Sequence, residues 1–250
     1  MRDEPTYKIE IVEGLVQAAA RDRRELGTTD VVVALGRPHE VAEPERRAML
    51  CQLLSDDEKQ RLERFHFERD RVLFLVAHAL LRIALSRHAN IDPRAWQFRA
   101  STYGRPEIID SRSRLRFSLS HTHGLAACAI VLDRNIGIDV EHISRNGPID
   151  VVNSFSLRER REILGASVET RTRLFLEYWT LKEAYIKARG LGLSLPLDQF
   201  SLYKDNGDTW QLASESPPYE NPARWRFWSW QVNNDHQLAL ALDQSEGSLT

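Results

Sequence analysis

The order of apolar runs and chain breakers predicts an α+β fold of two similar halves within one chain of 250 residues. A long helical pattern over Asp70 to Leu85 is followed by Pro93, a strand ending near Ala100 and a glycine turn. A second, over Arg171 to Arg189, is followed by Pro196, a strand and the turn at Gly207. This is the order of an internal repeat with its junction near Arg134, or of a common helix-then-hairpin unit used twice. With 42% hydrophobic and 28% charged residues the chain reads as globular. A chain of this length buries roughly 70–75% of its unfolded surface, enough to fold without a disulfide or a structural metal.

Residues 1–29 lack turn punctuation and carry a helical charge pattern around Ala18 to Arg24, so they read as an N-terminal extension. The N-terminal half then spans 30–134 and the C-terminal half 135–250. Val31 to Leu35 is a short apolar strand stopped by Gly36-Arg37-Pro38. Ser55 with Glu58 forms a capping box that opens a helix through Arg64. Over Asp70 to Leu85 the apolar residues at 72, 73, 76, 80, 83 and 84 recur near the 3.6 period of a core helix. Ala95 to Ala100 and Leu115 to Leu119 read as strands flanking the turn Tyr103-Gly104-Arg105-Pro106. Ala126 to Leu132 and Ile136 to Val140 read as a hairpin around Asp133-Arg134-Asn135. Ser156 and Glu159 make a second capping box, and the helix from Arg171 is stopped by Gly190 and Gly192. A strand near Phe200 to Tyr203, another at Trp210 to Leu212, and a hairpin of Trp225 to Val232 with Gln237 to Leu242 around Asn233-Asn234-Asp235 complete the chain.

Composition narrows function. Only Cys51 and Cys128 occur, which excludes a disulfide scaffold and the common local zinc motifs. The first ten residues have no apolar core of the signal-peptide kind, and no apolar run reaches the roughly 20 residues of a membrane span. A reducing, cytoplasmic setting without membrane partners is expected. A net charge of −2 does not favour nucleic acid as a partner, so any polyanion site must be local. The chain has five lysines against 29 arginines, and two of the five, Lys182 and Lys187, share one segment. That bias suggests an ammonium is wanted there.

Asp139 and Glu141 flank Val140, and a period of 2 points both carboxylates to one face of an otherwise apolar strand. Such a pair is a solvent-facing strand end, or it holds a cation; oxygen ligands alone suit Mg²⁺ better than zinc. Trp179, Glu183 and Lys187 share a helix face at i, i+4 and i+8. They make a surface salt bridge, or they supply a third metal ligand or general base at Glu183 and a phosphate contact at Lys187. Ser118, Ser120, His121 and His123 form a polar cluster after the strand Leu115 to Leu119, with Arg105, Arg112, Arg114 and Arg116 nearby. These favour an anion site over a chelated transition metal. Arg61, Arg64, Arg69 and Arg71 interleave with acids and read mostly as a solvated face.

The strings Ile136-Gly137-Ile138-Asp139-Val140-Glu141 and Trp179-Thr180-Leu181-Lys182-Glu183-Ala184-Tyr185-Ile186-Lys187 resemble the paired signature of the 4′-phosphopantetheinyl transferases, about 40 residues apart as in that family. Gly104-Arg105-Pro106, Phe117-Ser118-Leu119-Ser120-His121 and Gly190 to Leu197 add matches in the same order. From about Val31 onward the chain most resembles the broad-specificity, two-halved monomeric branch that activates peptide and polyketide synthetases.

The resemblance implies two α+β halves packed as a pseudo-dimer with the coenzyme in the cleft between them. It implies transfer of 4′-phosphopantetheine from coenzyme A to a serine of an apo acyl or peptidyl carrier protein, releasing adenosine 3′,5′-bisphosphate. Asp139, Glu141 and Glu183 would hold Mg²⁺, Glu183 and Lys187 would be catalytic, and Lys187 would also contact phosphate. Arg105, Ser120 and His121 would meet the 3′-phosphate of coenzyme A, and Arg61 another phosphate. Glu183 would act as base directly or through a metal-bound water. A metal-dependent nuclease is the competing enzyme class, but such sites commonly place a lysine two residues after a strand acid, and here that residue is Ile143. A non-catalytic carrier-binding module is the third reading, and it leaves the three acids unexplained.

Overall fold

The computed structural model describes residues 6–19, 25–110, 113–143, 149–214 and 221–245. The chain divides into two compact units, Met1–Ser101 with Pro106–Asp133, and Thr102–Arg105 with Arg134–Thr250.

The first unit starts with strand β1 (Lys8–Glu13), a helical turn α1 (Leu15–Ala18) and strand β2 (Asp30–Gly36). Helices α2 (Pro44–Cys51), α3 (Asp56–Glu63) and α4 (Glu68–Arg87) follow, then a short hairpin, β3 (Phe98–Ala100) with β4 (Pro106–Ile108). A longer hairpin, β5 (Leu115–Thr122) with β6 (Leu125–Leu132), ends it. The sheet order is β1-β2-β6-β5, and α4 packs across it on a core that includes Val32, Ile130, Phe117, Val76 and Leu80. Part of the segment read as an extension thus adds a parallel edge strand to this sheet. The charge-patterned residues 20–24 lie outside the described residues, as does Arg112.

The second unit runs β7 (Ile136–His142), α5 (Leu157–Gly165), α6 (Val168–Arg189), hairpin β8 (Phe200–Lys204) with β9 (Trp210–Ser214), and hairpin β10 (Trp225–Val232) with β11 (His236–Asp243). Its sheet order is β10-β11-β7. α6 ends where Gly190 takes a left-handed conformation, φ 66°, and returns its N–H to Ile186 and Lys187. Among the described residues, no helix is long and apolar enough to cross a membrane.

The α+β reading holds, and the repeat is deeper than the sequence order suggested. The second unit runs strand, two helices, short hairpin, long hairpin; from β2 onward the first unit runs the same way with α2 as an additional helix before α3 and α4, and the sheet orders β2-β6-β5 and β7-β11-β10 correspond. The buried charges repeat as well. In the first unit the capping-box Glu58 meets Arg82 on α4, whose Nη1 donates to the carbonyls of Pro93 and Trp96. In the second the capping-box Glu159 meets Lys182 on α6, whose Nζ donates to the carbonyls of Leu197 and Phe200. Each cation also stands over a phenylalanine of the strand that follows, Phe98 and Phe200. One device ties helix start, long helix and following turn together in both units.

One strand pairing differs from the sequence reading. Ala126 to Leu132 and Ile136 to Val140 do not form a hairpin: β6 pairs with β2 and β5, and β7 pairs with β11. β6 is buried along almost its whole length and is satisfied on both edges within its own sheet, so its apolar neighbour in sequence has to pair elsewhere. β3 pairs across the Gly104 turn, where φ is 83°, with Pro106–Ile108, a strand the sequence reading did not mark.

Candidate active site

The site is assembled in the second unit by α6 lying along one face of β7. Alternation sends Gly137, Asp139 and Glu141 to that face and Ile138 and Val140 to the other. On the helix, Trp179, Glu183 and Lys187 repeat every four residues, a rise of ~6 Å that nearly matches the ~6.7 Å between alternate strand residues. The two ladders therefore stay in step. Trp179 Nε1 donates to Glu141 Oε1 at 3.3 Å, and Lys187 Nζ donates to Asp139 Oδ1 at 2.6 Å.

Gly137 makes this approach possible. A Cβ there would lie 1.8 Å from the Ala184 carbonyl oxygen and 2.6 Å from the Ala188 nitrogen. Arg105 fixes the same end of the helix, donating from Nη1 to the Ala188 carbonyl at 3.0 Å and from Nη2 to the Ile136 carbonyl at 3.5 Å. It thereby ties the last turn of α6 to the first residue of β7.

The electrostatics follow from this crowding. Burial raises the Glu183 carboxyl above the usual range; the Asp139 charge, and less so Glu141, push the same way, while Lys187 opposes them. Three carboxylates against one ammonium is a donor set that suits a hard divalent cation. Among the described residues, though, no three His, Cys, Asp or Glu groups already stand in metal-holding positions.

The two lysines singled out from composition separate. Lys187 is 30% exposed and faces Asp139, whereas Lys182 is fully buried on Glu159 and serves the fold. Burial raises the Glu159 carboxyl, and the Lys182 charge works against that rise. Ser120 and His121 lie inside β5, opposite Ala127 and Ala126, rather than beyond its end. Alternation turns them to opposite faces, Ser120 buried and His121 exposed. Arg61 is exposed on α3 with its guanidinium 5.4 Å from the Phe74 ring centre. These three belong to the first unit and Arg105 to the second. Sequence reasoning missed Gly137 as a packing residue, although a lone glycine among Ile and Val in a strand signals a close backbone approach. It also missed the carbonyl contacts of Arg105, for which no local signal exists.

The sequence of this chain matches known protein families. Residues 135–241 match the 4′-phosphopantetheinyl transferase superfamily, and residues 42–131 match the model described as 4′-phosphopantetheinyl transferase, N-terminal. A 4′-phosphopantetheinyl transferase of Bacillus subtilis is 30% identical over 210 residues, covering 83% of this chain and 89% of that protein. The transferase Sfp of Bacillus subtilis strain 168 is 29% identical over 213 residues, covering 83% and 89%. Among solved structures, a holo-(acyl-carrier-protein) synthase from Bacillus anthracis in complex with CoA (3′,5′-ADP) has a TM-score of 0.37 and 19% identity, covering 46% of this chain and 96% of that one. The chain belongs to the 4′-phosphopantetheinyl transferase family, and both the N-terminal and the superfamily models of that family are represented in it.

Proposed function

We propose that the chain transfers 4′-phosphopantetheine from coenzyme A to a serine of an apo acyl or peptidyl carrier protein and releases adenosine 3′,5′-bisphosphate, with Mg²⁺ as cofactor. The observation that carries this reading is the register of α6 on β7, which sets Asp139 and Glu141 against Glu183 and Lys187. Asp139, Glu141 and Glu183 would hold the metal, whose chemistry is to neutralise charge on the phosphate oxygens.

In the transfer, the carrier serine Oγ forms a bond to the β-phosphorus and the bond to the departing adenosine bisphosphate breaks. The serine proton goes to Glu183, directly or through water; a carboxyl raised by burial beside other acids is a better base than an exposed one. The Lys187 ammonium would meet charge on the phosphates. Arg61, Arg105, Ser120 and His121 are proposed as coenzyme contacts. For Arg105 this means using N–H groups other than those on the Ala188 and Ile136 carbonyls. The relatives' names support phosphopantetheine as the group transferred, and we propose a carrier protein as acceptor, broad carrier specificity, a monomeric state and a cytoplasmic setting, with no nucleic-acid or membrane partner.

The test is to incubate the protein with coenzyme A, Mg²⁺ and an apo carrier and to weigh the carrier. A mass gain of one phosphopantetheine is expected. An unchanged carrier with coenzyme A intact would overturn the reading, and cleavage of nucleic acid under the same conditions would favour the nuclease.

A further inference from the structure

Lys187 Nζ donates to Asp139 Oδ1 at 2.6 Å, so a carboxylate oxygen suited to a divalent cation is already held by a cation of the protein's own. The two partners differ in access: the Asp139 side chain keeps 7% exposure and the Lys187 side chain 30%. Lys187 reaches its partner from the solvent side, and it can leave without opening the core. Lys182, five residues earlier on the helix, is fixed by contrast, with no exposure and with its donors committed to Glu159 and the carbonyls of Leu197 and Phe200. The residue type matters too. An ammonium on a flexible four-carbon stem is a mobile point charge, whereas a guanidinium fork binds a carboxylate through two parallel bonds and leaves less readily. In a chain with 29 arginines and five lysines, the position over Asp139 is a lysine.

We propose that Lys187 is the resident counter-ion of the Asp139–Glu141–Glu183 cluster and competes with the divalent cation for Asp139. The inference rests on the metal assignment proposed above. Lys187 then offsets the repulsion among the three acids until a divalent cation takes over that role, and the ammonium so released is available to an anionic ligand. A ligand that draws Lys187 away from Asp139 strengthens metal binding, and by reciprocity the metal strengthens binding of that ligand. Lys187 thus couples the loading of metal and of coenzyme pyrophosphate, in addition to any contact it makes during transfer.

The experiment measures Mg²⁺ binding directly, by calorimetry on the full chain without coenzyme, for wild type, Lys187→Met and Asp139→Asn. Lys187→Met is expected to bind Mg²⁺ about tenfold more tightly than wild type or better, the scale of one charge-assisted hydrogen bond removed from the competition. The gain in Mg²⁺ affinity caused by saturating coenzyme A should shrink in that variant. In chelator, Lys187→Met should melt below wild type and recover more on addition of Mg²⁺. If Lys187→Met does not fold in chelator, Lys187→Gln, which keeps a donor without the charge, is titrated in its place. Equal or weaker Mg²⁺ affinity in the lysine variant, with Asp139→Asn still losing the metal, overturns the competition and leaves the metal site standing. No Mg²⁺ binding by any of the proteins overturns the metal assignment and the competition with it.

Discussion

Replacing Gly137 by alanine tests whether the step-matched contact of α6 on β7 sets the geometry of the site. The added Cβ would sit 1.8 Å from the Ala184 carbonyl oxygen and 2.6 Å from the Ala188 nitrogen, both helix backbone, so no side-chain rotation relieves the clash. A normal contact needs more than ~3 Å, and the helix must retreat by more than about 1 Å at the turn that carries Glu183 and Lys187. Overpacking of this kind costs ~1–3 kcal/mol, and at ~2–4 °C per kcal/mol for a chain of this size Tm should fall by roughly 2–12 °C. Displacing reacting groups by about 1 Å can cost ~10²-fold in rate. The assay pairs thermal melting with steady-state transfer to an apo carrier. Ile138→Val, on the other face of the same strand, is the control and should lose only ~0.5–1.5 kcal/mol. Wild-type melting and turnover in Gly137→Ala would refute the reasoning. Lost stability with intact kcat would show that the helix register does not position the chemistry.

Alanine at Asp139, Glu141 or Glu183 should each lower transfer by at least ~10²-fold while circular dichroism stays native, and retained turnover in Asp139→Ala at saturating Mg²⁺ would count against the metal assignment. Trp179→Phe keeps the stack on Phe155 and Phe175 but removes the N–H that holds Glu141, so it should weaken apparent Mg²⁺ affinity with little change in the KM for carrier; a uniform loss of folded protein instead would mark a packing role. His121→Ala should weaken coenzyme A binding about tenfold and leave dephospho-coenzyme A unaffected, compared by calorimetry; equal losses for both ligands would put His121 away from the 3′-phosphate. Burial would raise the Glu58 carboxyl, but hydrogen bonds from His78 and the Ser55 N–H and the charges of His78 and Arg82 bring it down to about 2. The folded group loses its proton below the unfolded value of 4.5, so its stabilisation is present above about pH 4.5 and fades as pH falls toward 2. The advantage of wild type over Glu58→Gln in urea melts should shrink across that window, and a constant difference would contradict it.

What was legible in the sequence was local. The capping boxes Ser55–Glu58 and Ser156–Glu159, the stop at Gly190 and the turn at Asn233 and Asn234 each need only a few neighbouring residues, and the structure has them. The ladders of β7 and α6 were also legible, because periods of 2 and 3.6 place Asp139 with Glu141 and Glu183 with Lys187 without knowledge of the fold. The partner of Lys187 was not. Within the helix Glu183 is its neighbour at i−4, but the ammonium donates to Asp139, 48 residues earlier, a choice made by packing rather than by spacing. Strand pairing failed for the same reason: β6 and β7 are adjacent in sequence and rich in apolar residues, and only the sheet decides that each pairs elsewhere.

The repeat bears on why the proposed metal ligands and Lys187 all fall in one unit. Measured from the buried cation, Lys182 in α6 and Arg82 in α4, the position of Glu183 corresponds to Ile83 and that of Lys187 to Arg87. Ile83 packs against the core of the first unit, and Arg87 pairs with Glu10 of the added edge strand β1. Both units thus keep the glutamate–cation tie that sets their helices, since losing one partner of a buried pair costs ~3–5 kcal/mol. In the first unit the face equivalent to Glu183 and Lys187 carries an apolar contact and a structural ion pair. The tie is present in both. The acids on the strand bring repulsion that the fold alone does not need, and they are found where an ammonium stands ready to offset it.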